Sequence, residues 1–178
     1  MKLLQPNQFE LIAWEKLFKE NPGAEKRFIE QVNTKGKPQG LLELDVDTIH
    51  SFLASLVLVD WLTQPVALAT HKYNTTTVEG CTATIGSLCC VKYPGYKLSS
   101  YPLAGAIAHA AMSNADTIEA RCNPISKKLF EQFGFTEIEV HEDGKSLMSL
   151  PVDETHLLSM PHIVQVSLPS FTDGGKYD

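Results

Sequence analysis

Residues 121–135, Arg-Cys-Asn-Pro-Ile-Ser-Lys-Lys-Leu-Phe-Glu-Gln-Phe-Gly-Phe, restrict the fold more than any other stretch of the chain. They read as the end of a strand, a turn at Asn123, a short amphipathic helix, a stop at Gly134 and the start of a new strand. Asn is a leading N-cap residue, and Pro124 falls in the first helical turn, where a missing N–H matters little. Gly134 suits the left-handed position that ends a helix. A strand–helix–strand passage of this kind belongs to a sheet with helices packed on it.

The rest of the chain supplies the other elements. Residues 1–5 can form a first strand, and Asn7 is a candidate cap for a helix over 9–19, whose Phe9, Leu11, Ile12, Leu17 and Phe18 recur at helical spacing. Asn21-Pro22-Gly23 stops that helix, and 24–32 form a second, followed by a Lys- and Gly-rich loop at 34–40. Asp45 or Asp47 suits the cap of a short helix. Residues 56–61, rich in β-branched side chains, and 66–70 read as a hairpin about a turn at 62–65. Residues 71–80 are polar and read as an exposed loop or frayed edge. A long strand over 81–92 ends at Pro94 and Gly95, a small-residue helix runs over about 103–112, and a strand covers 117–122. After the helix at 124–133, strands at 135–141 and 146–151 are joined by a turn whose Asp143-Gly144 is a hairpin signal. The order β, α, α, β, β, β, α, β, α, β, β predicts an α/β (α+β) domain.

Composition sets the outer limits. A chain of 178 residues, 43% apolar and 20% charged, fits one soluble domain with a substantial core. A net charge of −6 disfavours general nucleic-acid binding. The longest apolar run, 52–62, is broken by Ser55 and Asp60, so no membrane span is expected, and the N-terminus lacks a signal-peptide core. The expected location is therefore cytoplasmic. Cys81, Cys89, Cys90 and Cys122 show no C-x-x-C spacing, which argues against zinc. The four are expected as reduced, buried cysteines in a sheet, with Cys89 and Cys90 on opposite faces of their strand.

The element order, together with the pattern Asn123-x-x-Ser126-x-x-Leu129-Phe130-x-x-x-Gly134-Phe135, resembles the GNAT superfamily of acyl-CoA-dependent N-acyltransferases. The resemblance implies a mixed, mostly antiparallel central sheet flanked by helices over residues 1–151. Residues 152–178 would be a C-terminal extension, with an extra strand at 163–166 and a loose tail. It implies transfer of an acetyl or short acyl group from acetyl-CoA or another acyl-CoA to an amine. In the family, a loop of pattern Q/R-x-x-G-x-G/A opens the helix after the long strand and holds the pyrophosphate. The matching segment here is Lys97-Leu98-Ser99-Ser100-Tyr101-Pro102, with Ser100 and Pro102 in place of the glycines. Lys97, the Ser99 and Ser100 hydroxyls and the N–H groups of Leu98, Ser100 and Leu103 are the implied phosphate contacts; Pro102 has no N–H to offer.

The same resemblance implies a carbonyl-binding backbone N–H near Cys90, Val91 and Lys92. It makes Asn123 a contact for the pantetheine arm, besides its role as a cap, and Phe130 a packing surface for that arm. Phe130 stands where many family members have a Tyr that protonates the leaving thiolate, and it cannot donate a proton. Candidate bases are Glu119, Glu79 and His71, and His71 with Tyr73, beside the variable loop, is also a candidate to shape the acceptor site. No metal is expected. The implied partners are the acyl-CoA and an amine acceptor, and the apolar stretch at 163–168 offers a surface to pair with its own chain, as in a homodimer, or with another partner. Two other readings stand beside this one: a non-catalytic module with a degenerate coenzyme loop, and a transferase that takes its acyl group from an acyl-carrier protein.

Overall fold

A computed structural model describes residues 9–39, 43–51, 54–60, 62–77, 80–91 and 98–152. The chain runs β1 (Phe9–Ala13), α1 (Trp14–Glu20), α2 (Ala24–Gly36), a 3-10 turn (Lys37–Gln39), α3 (Val46–His50), β2 (Ala54–Asp60), β3 (Pro65–Thr77), β4 (Gly80–Cys90), α4 (Ser100–Met112), β5 (Thr117–Cys122), α5 (Pro124–Gln132), β6 (Thr136–Val140) and β7 (Ser146–Pro151). The strands form one seven-stranded sheet in the order β1-β2-β3-β4-β5-β7-β6. Every neighbouring pair is antiparallel except β4–β5, which is parallel. The mixed, mostly antiparallel sheet expected from the sequence is thus present.

Alternation along the strands divides the core between two faces. Leu17 of α1, Phe28 of α2 and Ile49 of α3 pack with Val57, Val59 and Leu68 on one face. Leu103 and Ile107 of α4 and Phe130 of α5 pack with Ala83, Ile85, Ile118 and Ala120 on the other. Each of the Leu, Ile, Val and Phe side chains among these, withdrawn from water, contributes about 1.5–3 kcal/mol. Gly105 lets α4 press closely on the sheet, since a Cβ there would meet the side chains of Leu11 and Leu56.

Many expected elements form where the residues indicate. The β2–β3 turn is closed by the Asp60 carboxylate, whose Oδ1 accepts from the N–H groups of Leu62 and Gln64, each at 2.9 Å. Asp45 rather than Asp47 caps α3, accepting from the Thr48 N–H at 2.6 Å. Gly134 and Gly144 take the left-handed conformation at the end of α5 and in the β6–β7 turn, with φ of 87° and 75°. Cys89 and Cys90 face opposite sides of the sheet, and no disulfide joins the four cysteines, but of the four expected to be buried only Cys122 is; Cys81, Cys89 and Cys90 are half-buried.

Three expectations are corrected. Residues 9–13, expected to open a helix, are β1: they pair with β2 from Phe9↔Asp60 to Ala13↔Leu56, and only from Trp14 does the helix begin. Phe9 and Leu11 pack toward one face and Ile12 toward the other, so burial on both sides outweighs the helical recurrence. Residues 34–36, expected as loop, continue α2, whose end is pinned by a reciprocal pair between the Asn33 side chain and the Leu44 backbone, at 2.7 and 2.8 Å. Residues 71–77, expected as a loop or frayed edge, prolong β3, because β4 returns beside them from Thr77↔Gly80 onward. The strand expected at 1–5 and the extension at 153–178 lie outside the described residues.

Candidate functional site

The parallel pair β4–β5 is short. It holds from Thr82↔Thr117 to Ile85↔Ala120 and then stops, although β4 continues to Cys90 and β5 to Cys122. A gap therefore opens between the C-terminal halves of two strands in mid-sheet. Its cause lies on the other side of β4. There the β3–β4 register passes from Ala69↔Leu88 to His71↔Ile85, so Thr70 alone stands opposite Gly86 and Ser87. Thr70 is fully buried and its Oγ1 accepts the Ser87 N–H at 2.7 Å. This is a β-bulge, which bends a strand and sharpens its twist, here swinging the end of β4 away from β5.

The gap is lined by backbone. Val91 donates its N–H to the Val66 carbonyl at 2.9 Å. In an antiparallel ladder alternate residues face the partner strand, so the N–H and C=O groups of Leu88 and Cys90 point away from β3, into the gap. At its mouth α4 begins. The Tyr101 N–H is bonded to the Leu98 carbonyl and the Leu103 N–H to the Ser99 carbonyl. The N–H groups of Leu98, Ser99 and Ser100 have no backbone acceptor among the described residues, and those of Ser99 and Ser100 lie at the positive end of the helix dipole.

Several of the sequence-predicted residues meet here. Cys90, Val91 and Leu98 share one apolar cluster, and the Ser99 hydroxyl donates to Cys90 Sγ at 3.4 Å. Asn123 stands at the end of β5, where its Oδ1 caps α5 by accepting from the N–H groups of Ile125 and Ser126, each at 2.9 Å. Glu119 sits in β5 opposite Thr84, just before the strands part, on the face away from α4. Other predicted residues have buried side chains. Leu103 and Phe130 are core residues, 0% and 3% exposed, with the Phe130 ring edge-on to Phe135 at 5.1 Å. Ser100 is buried as well. Glu79, Lys92 and Lys97, and the Tyr73 side chain, lie outside the described residues.

His71 is also displaced from its expected place. It is not beside an acceptor loop but fully buried beneath α4, its Nε2 2.8 Å from His109 Nδ1. Burial holds both imidazoles below their ordinary pKa, and the neighbouring His109 helps to bring His71 down to about 4. Across the sheet, burial pushes the Cys89 thiol up to about 12.

Two features of the site were not legible in the sequence. One is Lys35, assigned to a loop, which α2 carries to the mouth of the gap: its Nζ donates to the Cys90 carbonyl at 3.0 Å. The other is a cleft of about 750 Å³ between α2 and the ends of β3 and β4, lined in part by Arg27, Gln31, Lys35, Gln64 and Val91. Lys35 and Val91 belong to both cleft and gap, so the two adjoin. A signal for Lys35 was present in its helical spacing from Phe28, Gln31 and Val32, but the Gly and Pro that follow masked it. Among the described residues no cluster of three or more metal-ligating side chains exists, and no helix is long and apolar enough to cross a membrane.

No protein-family model and no curated protein matches this sequence. Solved structures do match in shape. The crystal structure of the NatC complex bound to Gag peptide and CoA contains a chain superimposing with a TM-score of 0.65 at 16% identity, over 82% of this chain and 99% of that one. FeeM, an N-acyl amino acid synthase from uncultured soil microbes, gives a TM-score of 0.65 at 13% identity, over 89% and 98%. A GNAT-family acetyltransferase from Staphylococcus aureus gives 0.62 at 15%, over 82% and 99%. At these identities the likeness is one of architecture: the parallel β4–β5 pair, the helices on both faces and the strand order place this chain in the GNAT fold.

Proposed function

We propose that the chain is an N-acyltransferase that moves an acetyl or other short acyl group from coenzyme A to an amine. The observation that carries this reading is the gap beside the bulged end of β4. The pantetheine arm carries amide groups, and it would lie in the gap as a short extra strand against the outward groups of Leu88 and Cys90. The Ser99 and Ser100 N–H groups would hold the phosphates at the start of α4, joined by Lys97. Pro102 and the internally bonded N–H groups of Tyr101 and Leu103 leave this cradle with fewer donors than a glycine-rich loop has. Asn123, its Oδ1 occupied in capping, retains an amide nitrogen to donate to the arm.

In the transfer itself, the outward N–H groups of β4 would stabilise charge developing on the thioester oxygen. Glu119, or Glu79, would take the proton from the attacking ammonium. Phe130 supplies no acid, and none is required, since a thiolate is a tolerable leaving group near neutral pH. The cleft along α2 would receive the acceptor.

Calorimetric titration with acetyl-CoA tests the reading. Heat with a one-to-one stoichiometry is expected, and no heat at millimolar ligand overturns it. Heat that appears only after Pro102→Gly instead assigns the chain to the non-catalytic alternative. In a thiol-release assay over a panel of amines, Glu119→Gln should slow turnover about 100-fold if Glu119 is the base.

A further inference from the structure

We infer, building on the coenzyme reading of the gap, that Lys35 is an auto-acylation site served by Cys90. Lys35 Nζ stands 3.7 Å from Cys90 Sγ and 3.0 Å from the Cys90 carbonyl, and the Ser99 hydroxyl donates to the same sulfur at 3.4 Å. The thiol is half-buried at the mouth of the gap, beside the strand where an acyl-pantetheine arm would lie. The other cysteines lack this setting. Burial pushes Cys89 and Cys122 up to about 12, and Cys81 lies at the opposite end of β4. The thiolate is the attacking form of a cysteine.

The chemistry proceeds in two exchanges. The Cys90 thiolate attacks the acyl carbon of the thioester, the bond to the coenzyme sulfur breaks, and that thiolate leaves to take a proton from water. The Cys90 thioester so formed then faces the amine of Lys35. Neutral Nζ attacks the acyl carbon, the C–S bond breaks, nitrogen releases its proton, and Cys90 is regenerated. The sum is one acyl-CoA and one lysine amine giving one amide and one coenzyme thiol, with no oxidant or reductant. Holding the two groups together converts the second exchange into an intramolecular reaction, where effective concentrations are very high. The product removes a positive charge from the mouth of the gap and from the rim of the adjoining cleft.

The full chain is incubated with acetyl-CoA at about pH 8.5, followed by intact mass and peptide mapping. Hydroxylamine, which cleaves thioesters and spares amides, separates the two adducts. Wild type should accumulate a hydroxylamine-resistant acetyl group on Lys35, ahead of exposed Lys19, Lys26 and Lys37. Lys35→Arg should stop at a hydroxylamine-labile acetyl group on Cys90, and Cys90→Ser should slow Lys35 acetylation at least about tenfold. Equal acetylation of all four lysines, or an unchanged rate in Cys90→Ser, overturns the proposal. The same experiment with S-acetyl-N-acetylcysteamine, which lacks the phosphates, keeps the two readings apart. Cys90-dependent acetylation of Lys35 by this small thioester but not by acetyl-CoA supports the Cys–Lys relay and removes the coenzyme site. Its absence with both donors overturns the relay whatever calorimetry says of the coenzyme.

Discussion

At the scale of single residues, capping and burial make the sharpest statements. Asn123 holds two N–H groups at the start of α5. Asn123→Ala should remove about 1 kcal/mol of stability and lower the melting temperature by about 2–4 °C, measured by thermal denaturation. The His71–His109 pair predicts a pH dependence. Both folded-state pKa values lie below the ordinary value, so on acidification the unfolded chain binds protons before the folded one does. Stability is then full above about pH 6.5. For His71 it falls as pH drops toward its folded value of about 4. With His71 fully buried the loss should be on the order of 2–3 kcal/mol. Urea midpoints measured across this window should fall more steeply for wild type than for His71→Gln; parallel slopes would remove the pair from the explanation.

At the scale of elements, the bulge in β4 is the decisive feature. Thr70→Val keeps the side-chain shape but removes the acceptor for the Ser87 N–H, which should cost about 1–3 kcal/mol. If the bulge relaxes and β4 closes toward β5, affinity for acetyl-CoA should fall in the same variant, while Thr70→Ser retains both properties. Urea denaturation and calorimetry on the two variants check this. Gly86, alone inside a strand pattern, was a local hint of a bulge, but a bulge is a relation between strands and one strand cannot display where it falls. The same reason hid β1 and the far half of β3. Phe9 and Leu11 have helical spacing, and the threonines at 75–77 look like loop, until β2 and β4 are set beside them. By contrast β5, α5 and β7 were legible to within a residue, since caps, Gly134 and strict alternation are local signals.

For the whole molecule, the proposed coenzyme would bind a site made from β4, β5 and the start of α4, which only the folded chain possesses. Acetyl-CoA at about 100 times its dissociation constant should therefore add about 2.7 kcal/mol and raise the melting temperature by roughly 5–10 °C. Thermal melts at several ligand concentrations measure this, and a melting temperature independent of ligand would contradict the site. The amino-acid sequence alone determined which segments become helices and strands wherever caps, turns and alternation are local. Through residues 121–135 it also determined the passage from β5 through α5 to β6. Tertiary structure decided the rest. It set the parting of β4 from β5, brought Lys35 to Cys90 across 55 positions of chain, and withdrew Phe130 and His71 into the core. Those outcomes depend on contacts between residues distant in sequence, and such contacts exist only once the sheet has formed.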